Sequence, residues 1–180
     1  MNKPATALLM LASLPVVALA QFVSASFRVP TEHATPRYRL VPLGPSVAAL
    51  DYQAYMNSID HIRAKMGGDW PKPGLTMEDQ ARDMAGEKAE WEGRKSFPYA
   101  VLTVDGSKEL GCFYIRPSNK VGYDAVASLW TTKKQADRGL DKTLYRDMKA
   151  WLKKDWPFRK VAWPGIELSQ AEWKALPNKP

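Results

Sequence analysis

One cysteine and two histidines are all that this chain of 180 residues offers of the commonest metal-binding and disulfide-forming side chains. A lone Cys112 excludes an intramolecular disulfide, so cysteine count argues neither for nor against export. It lies in the apolar run Gly111-Cys112-Phe113-Tyr114-Ile115, where a buried small hydrophobe is expected. His33 and His61 are far apart, and no cysteine or carboxylate cluster stands at metal-ligand spacing, so no metal centre is expected. No phosphate-binding Walker loop, Gly-x-Ser-x-Gly elbow, dinucleotide fingerprint or internal repeat occurs. The charge is basic, +7, yet scattered; its densest runs are Lys133-Lys134 and Lys153-Lys154. This describes a solvated surface that favours anionic partners, and no nucleic-acid partner is expected.

What is present is the composition of one globular domain: 45% hydrophobic and 25% charged residues, against both disorder and a multi-span membrane protein. Residues 1–20 carry Lys3 ahead of an apolar run from Ala5 to Ala20 that closes Ala18-Leu19-Ala20. The layout is that of a secretory signal peptide cleaved before Gln21. The run is short of the roughly 20 residues a membrane helix needs. The expectation is an exported or periplasmic protein with no membrane contact beyond this segment. An uncleaved anchor is one alternative, and a cytoplasmic protein with a misassigned start codon is another. Residues 21–36 read as a Pro-punctuated linker, and 37–180 as the domain.

Within the domain, Arg37 to Pro45 alternates as a first strand ended by Gly44-Pro45. Ser46 stands as a cap before one helical stripe (Val47, Leu50, Ala54, Ile59, Ile62, Met66) that stops at Gly67-Gly68. Thr76 and Asp79 have capping-box spacing, and Met77, Ala81, Met84, Ala85, Lys88 and Trp91 mark the inner face of the helix to about Gly93. Asp105-Gly106 between two apolar runs (97–117) predicts a hairpin. Next comes the stretch Ser128 to Leu144: a strand end, a polar turn with Gly139, and a helix whose Leu140, Leu144, Met148, Trp151 and Leu152 share one face. Lys160 to Trp163 gives a further strand. Three antiparallel strands, then a helix returning to a parallel neighbour, predict an α/β domain with a mixed, mostly antiparallel sheet flanked by helices. The free N–H groups at the start of the helix after Gly139 make that turn the place to look for an anionic cofactor.

This order of elements, from Arg37 to Gly165, resembles the GNAT (GCN5-related) N-acetyltransferases. The phrases FPYAVLTVDGSKELGCFYIRP, YDAVASLW and GLDKTLYRDMKAWLKKDWPF look like a divergent bacterial branch of that superfamily. The resemblance implies a single GNAT-like domain that binds acetyl-CoA between its fourth and fifth strands and transfers an acyl group to a small-molecule or peptide amine. It implies that the strand end Leu129, Trp130 and Thr131 meets the pantetheine arm, and that Arg138, Gly139 and Leu140 meet the pyrophosphate. In the family's Arg/Gln-x-x-Gly-x-Gly/Ala loop, small residues let phosphate approach the backbone. Here Gly139 matches the first glycine and Asp141 replaces the second, a residue equally suited to capping a structural helix. Glu109 is the candidate base, with Asp124 of the same kind, and Tyr145 the candidate acid. Alternatively, Glu109 is an exposed hairpin carboxylate beside Lys108, and Tyr145 is packing. The family's last two strands, which complete its substrate side, have no counterpart after Gly165. A non-catalytic exported binding or structural module on the same fold is the competing expectation, because an exported protein meets little acetyl-CoA.

Overall fold

The computed structural model describes residues 22–180; the expected signal segment, 1–20, lies outside the described residues. Six strands form one sheet in sequence order: β1 (His33–Ala34), β2 (Arg39–Pro42), β3 (Phe97–Leu102), β4 (Glu109–Pro117), β5 (Ala125–Thr131) and β6 (Val161–Ala162). All neighbours are antiparallel except β5 and β6, which run parallel as the crossover helix requires. Helices α1 (Ala48–Met56), α2 (Ile59–Met66) and α3 (Met77–Glu92) precede the meander. The short α4 (Lys133–Ala136) and the long α5 (Leu140–Asp155) follow β5, and α6 (Gln170–Ala175) lies near the C-terminus. Among the described residues no helix is long and apolar enough to cross a membrane.

Alternation along the strands separates two cores. Phe97, Tyr99, Phe113, Ile115, Ala127 and Leu129 face α5, whose Leu144, Met148, Trp151 and Leu152 are buried against them. Removing one such side chain from water contributes about 2 kcal/mol. The opposite face sets Ala100, Cys112, Tyr114 and Trp130 against Tyr55, Ile62 and Met84 of the first three helices. Gly111 lets β4 and β5 approach, since a Cβ there would lie 2.1 Å from the Trp130 carbonyl oxygen.

Four sequence expectations are corrected. The helical stripe from Val47 to Met66 is two helices, broken at Asn57-Ser58, with Ser58 buried. Ser46 lies inside a 3-10 turn (Pro45–Val47) and makes no cap bond, whereas Thr76 and Asp79 do form a reciprocal capping box. The inner face of α3 is centred on Gln80 and Met84, while Met77 is 46% exposed: the periodicity counts apolar residues and passes over a buried glutamine. The 21–36 stretch is not a free linker. Val23 is buried, Phe22 stacks on Phe158 at 5.1 Å, Tyr99 donates to the Pro30 carbonyl at 2.7 Å, and β1 pairs with β2. These anchors act one residue at a time, so they leave no periodic signal.

Candidate active site

The site begins where β5 and β6 part. The two strands pair only at Ala125 with Val161 and Val126 with Ala162, although β5 runs on to Thr131. The Thr132 N–H donates to Leu110 O at 2.8 Å on the β4 side. Strand alternation therefore turns the N–H and C=O groups of Ala127, Leu129 and Thr131 toward the gap. A cleft of 250 Å³ opens there, with Ser128 and Leu129 on one wall, Gly165, Ile166 and Trp173 on another, and Lys65 and Arg116 among its charged lining residues. Thr131 is fully buried on the α5 face, and its hydroxyl finds no partner among the described residues. The open strand edge suits an extended, amide-bearing ligand.

Gly139, in the left-handed conformation at φ 76°, turns the chain into α5. The first turn of α5 points free N–H groups outward, as an anion site requires. It also carries Asp141, whose carboxylate accepts from Lys65 Nζ at 2.8 Å with both side chains largely buried. Burial alone would raise the Asp141 pKa; the Lys65 ammonium outweighs it and holds the carboxyl below its ordinary value. A negative charge therefore stands at the first turn of α5, beside the free N–H groups that would favour an anion. Lys134 and Arg138, exposed and without ion-pair partners among the described residues, supply positive charge beside it, while Lys133 is committed to Asp137.

Of the residues singled out in the sequence, Leu129 lines the cleft, while Thr131, at the end of β5, is fully buried and does not. Trp130 turns its indole to the opposite face and donates from Nε1 to Tyr114 OH at 3.3 Å, so only its backbone belongs to the strand end. Arg138, Gly139 and Leu140 stand together at the helix start.

Glu109 and Tyr145 do not line the cleft. Tyr145 donates to Glu167, and its ring lies edge-on to Trp163 at 5.1 Å. Burial first, then that carboxylate, pushes its pKa up. Asp124 accepts from the backbone N–H groups of Arg159 and Lys160 at 2.7 and 2.9 Å and fixes the entry to β6.

Glu109 is not the exposed hairpin carboxylate of the alternative reading either; it is 7% exposed. Cys112 Sγ lies 3.1 Å from Glu109 Oε1 and 3.3 Å from Asp51 Oδ1. Gln80 Nε2 donates to the other Asp51 oxygen at 2.8 Å, and Tyr55 OH donates to Gln80 Oε1 at 2.9 Å. Burial, then the Asp51 carboxylate, raises the Glu109 pKa well above its ordinary value. Burial and the Glu109 carboxyl raise the Cys112 pKa in turn. The thiol is a hydrogen-bond donor and not a nucleophile. The three groups place their ligand atoms within 4.8 Å of one another. They offer three donors where a structural zinc takes four, and a shared proton already accounts for their contact. Nothing in the sequence joins Asp51 to residues 109–112. Tyr114, also missed, was masked by a strand pattern that reads as core, and Arg116 by its exposed place at the end of β4.

No family sequence model matches this chain, and no curated protein sequence matches it significantly. Solved structures do. The ribosomal-protein-S5-alanine acetyltransferase from Vibrio fischeri superposes with a TM-score of 0.56 at 12% identity, covering 69% of this chain and 68% of that one. A probable acetyltransferase gives a TM-score of 0.58 at 13% identity over 72% and 70%. The spermidine N-acetyltransferase from Vibrio cholerae, solved with CoA and spermine, gives 0.54 at 10% identity over 72% and 71%. Together with the parallel pair that splays after two residues, these likenesses establish that the chain has the GNAT acyltransferase fold.

Proposed function

We propose that the chain is an acyl-CoA-dependent N-acyltransferase acting on a small amine. The observation that carries the reading is the cleft between β5 and β6, with the unpaired edge of β5 along one wall. Bound there, acetyl-CoA supplies an acyl group activated as a thioester. Backbone groups of Ala127 and Leu129 would hold its arm, the first turn of α5 would receive its phosphates, and Lys134 and Arg138 would offset their charge. Burial pushes the pKa of the Tyr114 hydroxyl up, and that hydroxyl accepts from the Trp130 indole. The test is thiol release from acetyl-CoA with a panel of primary amines. Amine-dependent release is expected, and its absence with every amine overturns the reading.

Asp141 makes a quantitative demand on this proposal. Asp141→Asn removes the like charge and frees Lys65 for phosphate. Acetyl-CoA affinity should rise about 10-fold, or ~1.4 kcal/mol, while loss of the partly buried ion pair costs up to ~1 kcal/mol of stability. Calorimetric titration of both proteins checks the first figure and their melting temperatures the second.

The same carboxylate favours a second reading: a GNAT-fold module that binds without catalysis, its α5 N-terminus closed by Lys65–Asp141. An exported location would fit this reading better than the first. Weakened or unchanged acetyl-CoA binding by Asp141→Asn would support it.

A further inference from the structure

A second hollow, of 330 Å³, adjoins the cleft, and Met66 and Arg116 line both. A molecule lying in this hollow therefore reaches the cleft across Arg116. Its inner wall is aromatic: Trp70 and Trp130 have ring centroids 6.3 Å apart, and Tyr114 accepts from the Trp130 indole. Asp83 and Glu87, one turn apart on α3, supply the negative charge. Asp83 is exposed at the rim and Glu87 is half-buried. One turn earlier, Glu78 and Asp79 are both tied to Arg82, but among the described residues Asp83 and Glu87 form no ion pair. Two carboxylates with no salt bridge among the described residues, Glu87 within the field of Arg116, lie beside Trp70 and make a place for an alkylammonium.

Arg116, whose charge also reaches Glu87, gives the edge shared with the cleft the opposite field. Its guanidinium carbon lies 4.5 Å from the centroid of the Tyr114 ring, at the edge shared with the cleft. An amine beside a fixed cation loses its proton more readily, and only a neutral amine is a nucleophile.

We infer that this hollow holds the acceptor, and that the acceptor is a small aliphatic diamine. Its far ammonium rests on Asp83 and Glu87 against Trp70, which packs on the buried Trp130, and its reacting nitrogen lies at the Arg116 edge of the cleft. In the transfer the lone pair of that nitrogen forms the C–N bond. The thioester C–S bond breaks with its electrons on sulfur, and the proton leaving nitrogen neutralises the sulfur. A volume of 330 Å³ stands at the small end of ligand pockets, which suits a short diamine over a peptide. This inference rests on the transferase reading.

Two measurements on the full chain keep the two apart. In the first, tryptophan fluorescence is titrated with 1,4-diaminobutane, 1-aminobutane and alanine without acetyl-CoA. The diamine should bind at least 10-fold more tightly than the other two, and Asp83→Asn with Glu87→Gln should bring that ratio near one. Equal binding of diamine and monoamine, tighter binding of alanine, or a preference that survives the double variant overturns the assignment. In the second, acetyl transfer to the diamine is followed against pH. Arg116→Gln should move the rising limb of kcat/KM to higher pH, a shift that a merely structural arginine would not give, and an unmoved limb overturns the role of Arg116. Selective diamine binding with no turnover for any amine upholds the hollow and sinks the transferase.

Discussion

Ser128→Trp should weaken acetyl-CoA binding at least 100-fold and leave the fold intact. Ser128 lies on β5 at the wall of the 250 Å³ cleft and is only partly buried. Its side chain alternates with those of Ala127 and Leu129 and stands on the Trp130 face, opposite Tyr114, where an indole fills the cleft from the rim of that core. The substitution leaves the α5 face, with Leu129, Leu144 and Met148, as it is. A 100-fold loss is about 2.7 kcal/mol, well above calorimetric error, and melting should move by no more than a surface substitution moves it. A variant that binds as tightly as wild type would place the cofactor somewhere other than between β5 and β6.

Glu109→Gln should make the protein more stable at neutral pH and change how stability depends on pH. The sign follows from the raised pKa of Glu109 in the fold, caused by burial and by Asp51. Unfolded, the carboxyl has its ordinary value, near 4.5. Between that value and the raised one, the folded state holds a proton that the unfolded chain has released. The Glu109 contribution is thus complete below about pH 4.5 and is lost as pH rises toward the folded value, at up to ~1.4 kcal/mol per pH unit. Glutamine is neutral at every pH, and its amide donates to Asp51. The variant should lack this slope and exceed wild type by about 1–3 kcal/mol at pH 7 to 8. Urea unfolding at several pH values reads the difference between the two curves directly. Parallel curves, or a less stable variant at pH 8, would show that Glu109 is ionised in the fold.

Where the sequence is legible, the reason is periodicity. The face of α5 repeats at helical spacing through Leu144, Met148 and Trp151, and the hairpin at Asp105-Gly106 is set by a local turn. The parallel placing of β6 follows from chain order, because a helix must carry the chain back across the sheet. Other parts depend on contacts between distant residues. Asp51 meets Glu109 and Cys112 across 58 and 61 positions, and Lys65 meets Asp141 across 76. Neither pairing has a local signature. Asp141 itself shows the limit of reading by spacing: as a first-turn helix carboxylate it is ordinary, and only the position of Lys65 shows that it also forms an ion pair across the fold. The hollow at Asp83, Glu87 and Arg116 was hidden differently, since each residue alone reads as a solvated charge on a helix or strand.

The most direct test of the account is a calorimetric titration of the purified full chain with acetyl-CoA and with coenzyme A. The open edge of β5, the cleft and the first turn of α5 together predict one site per chain with a Kd below about 100 µM, or ~5.5 kcal/mol, lost in Ser128→Trp. Absence of heat or thermal stabilisation at millimolar ligand would contradict the cofactor site and with it the transferase.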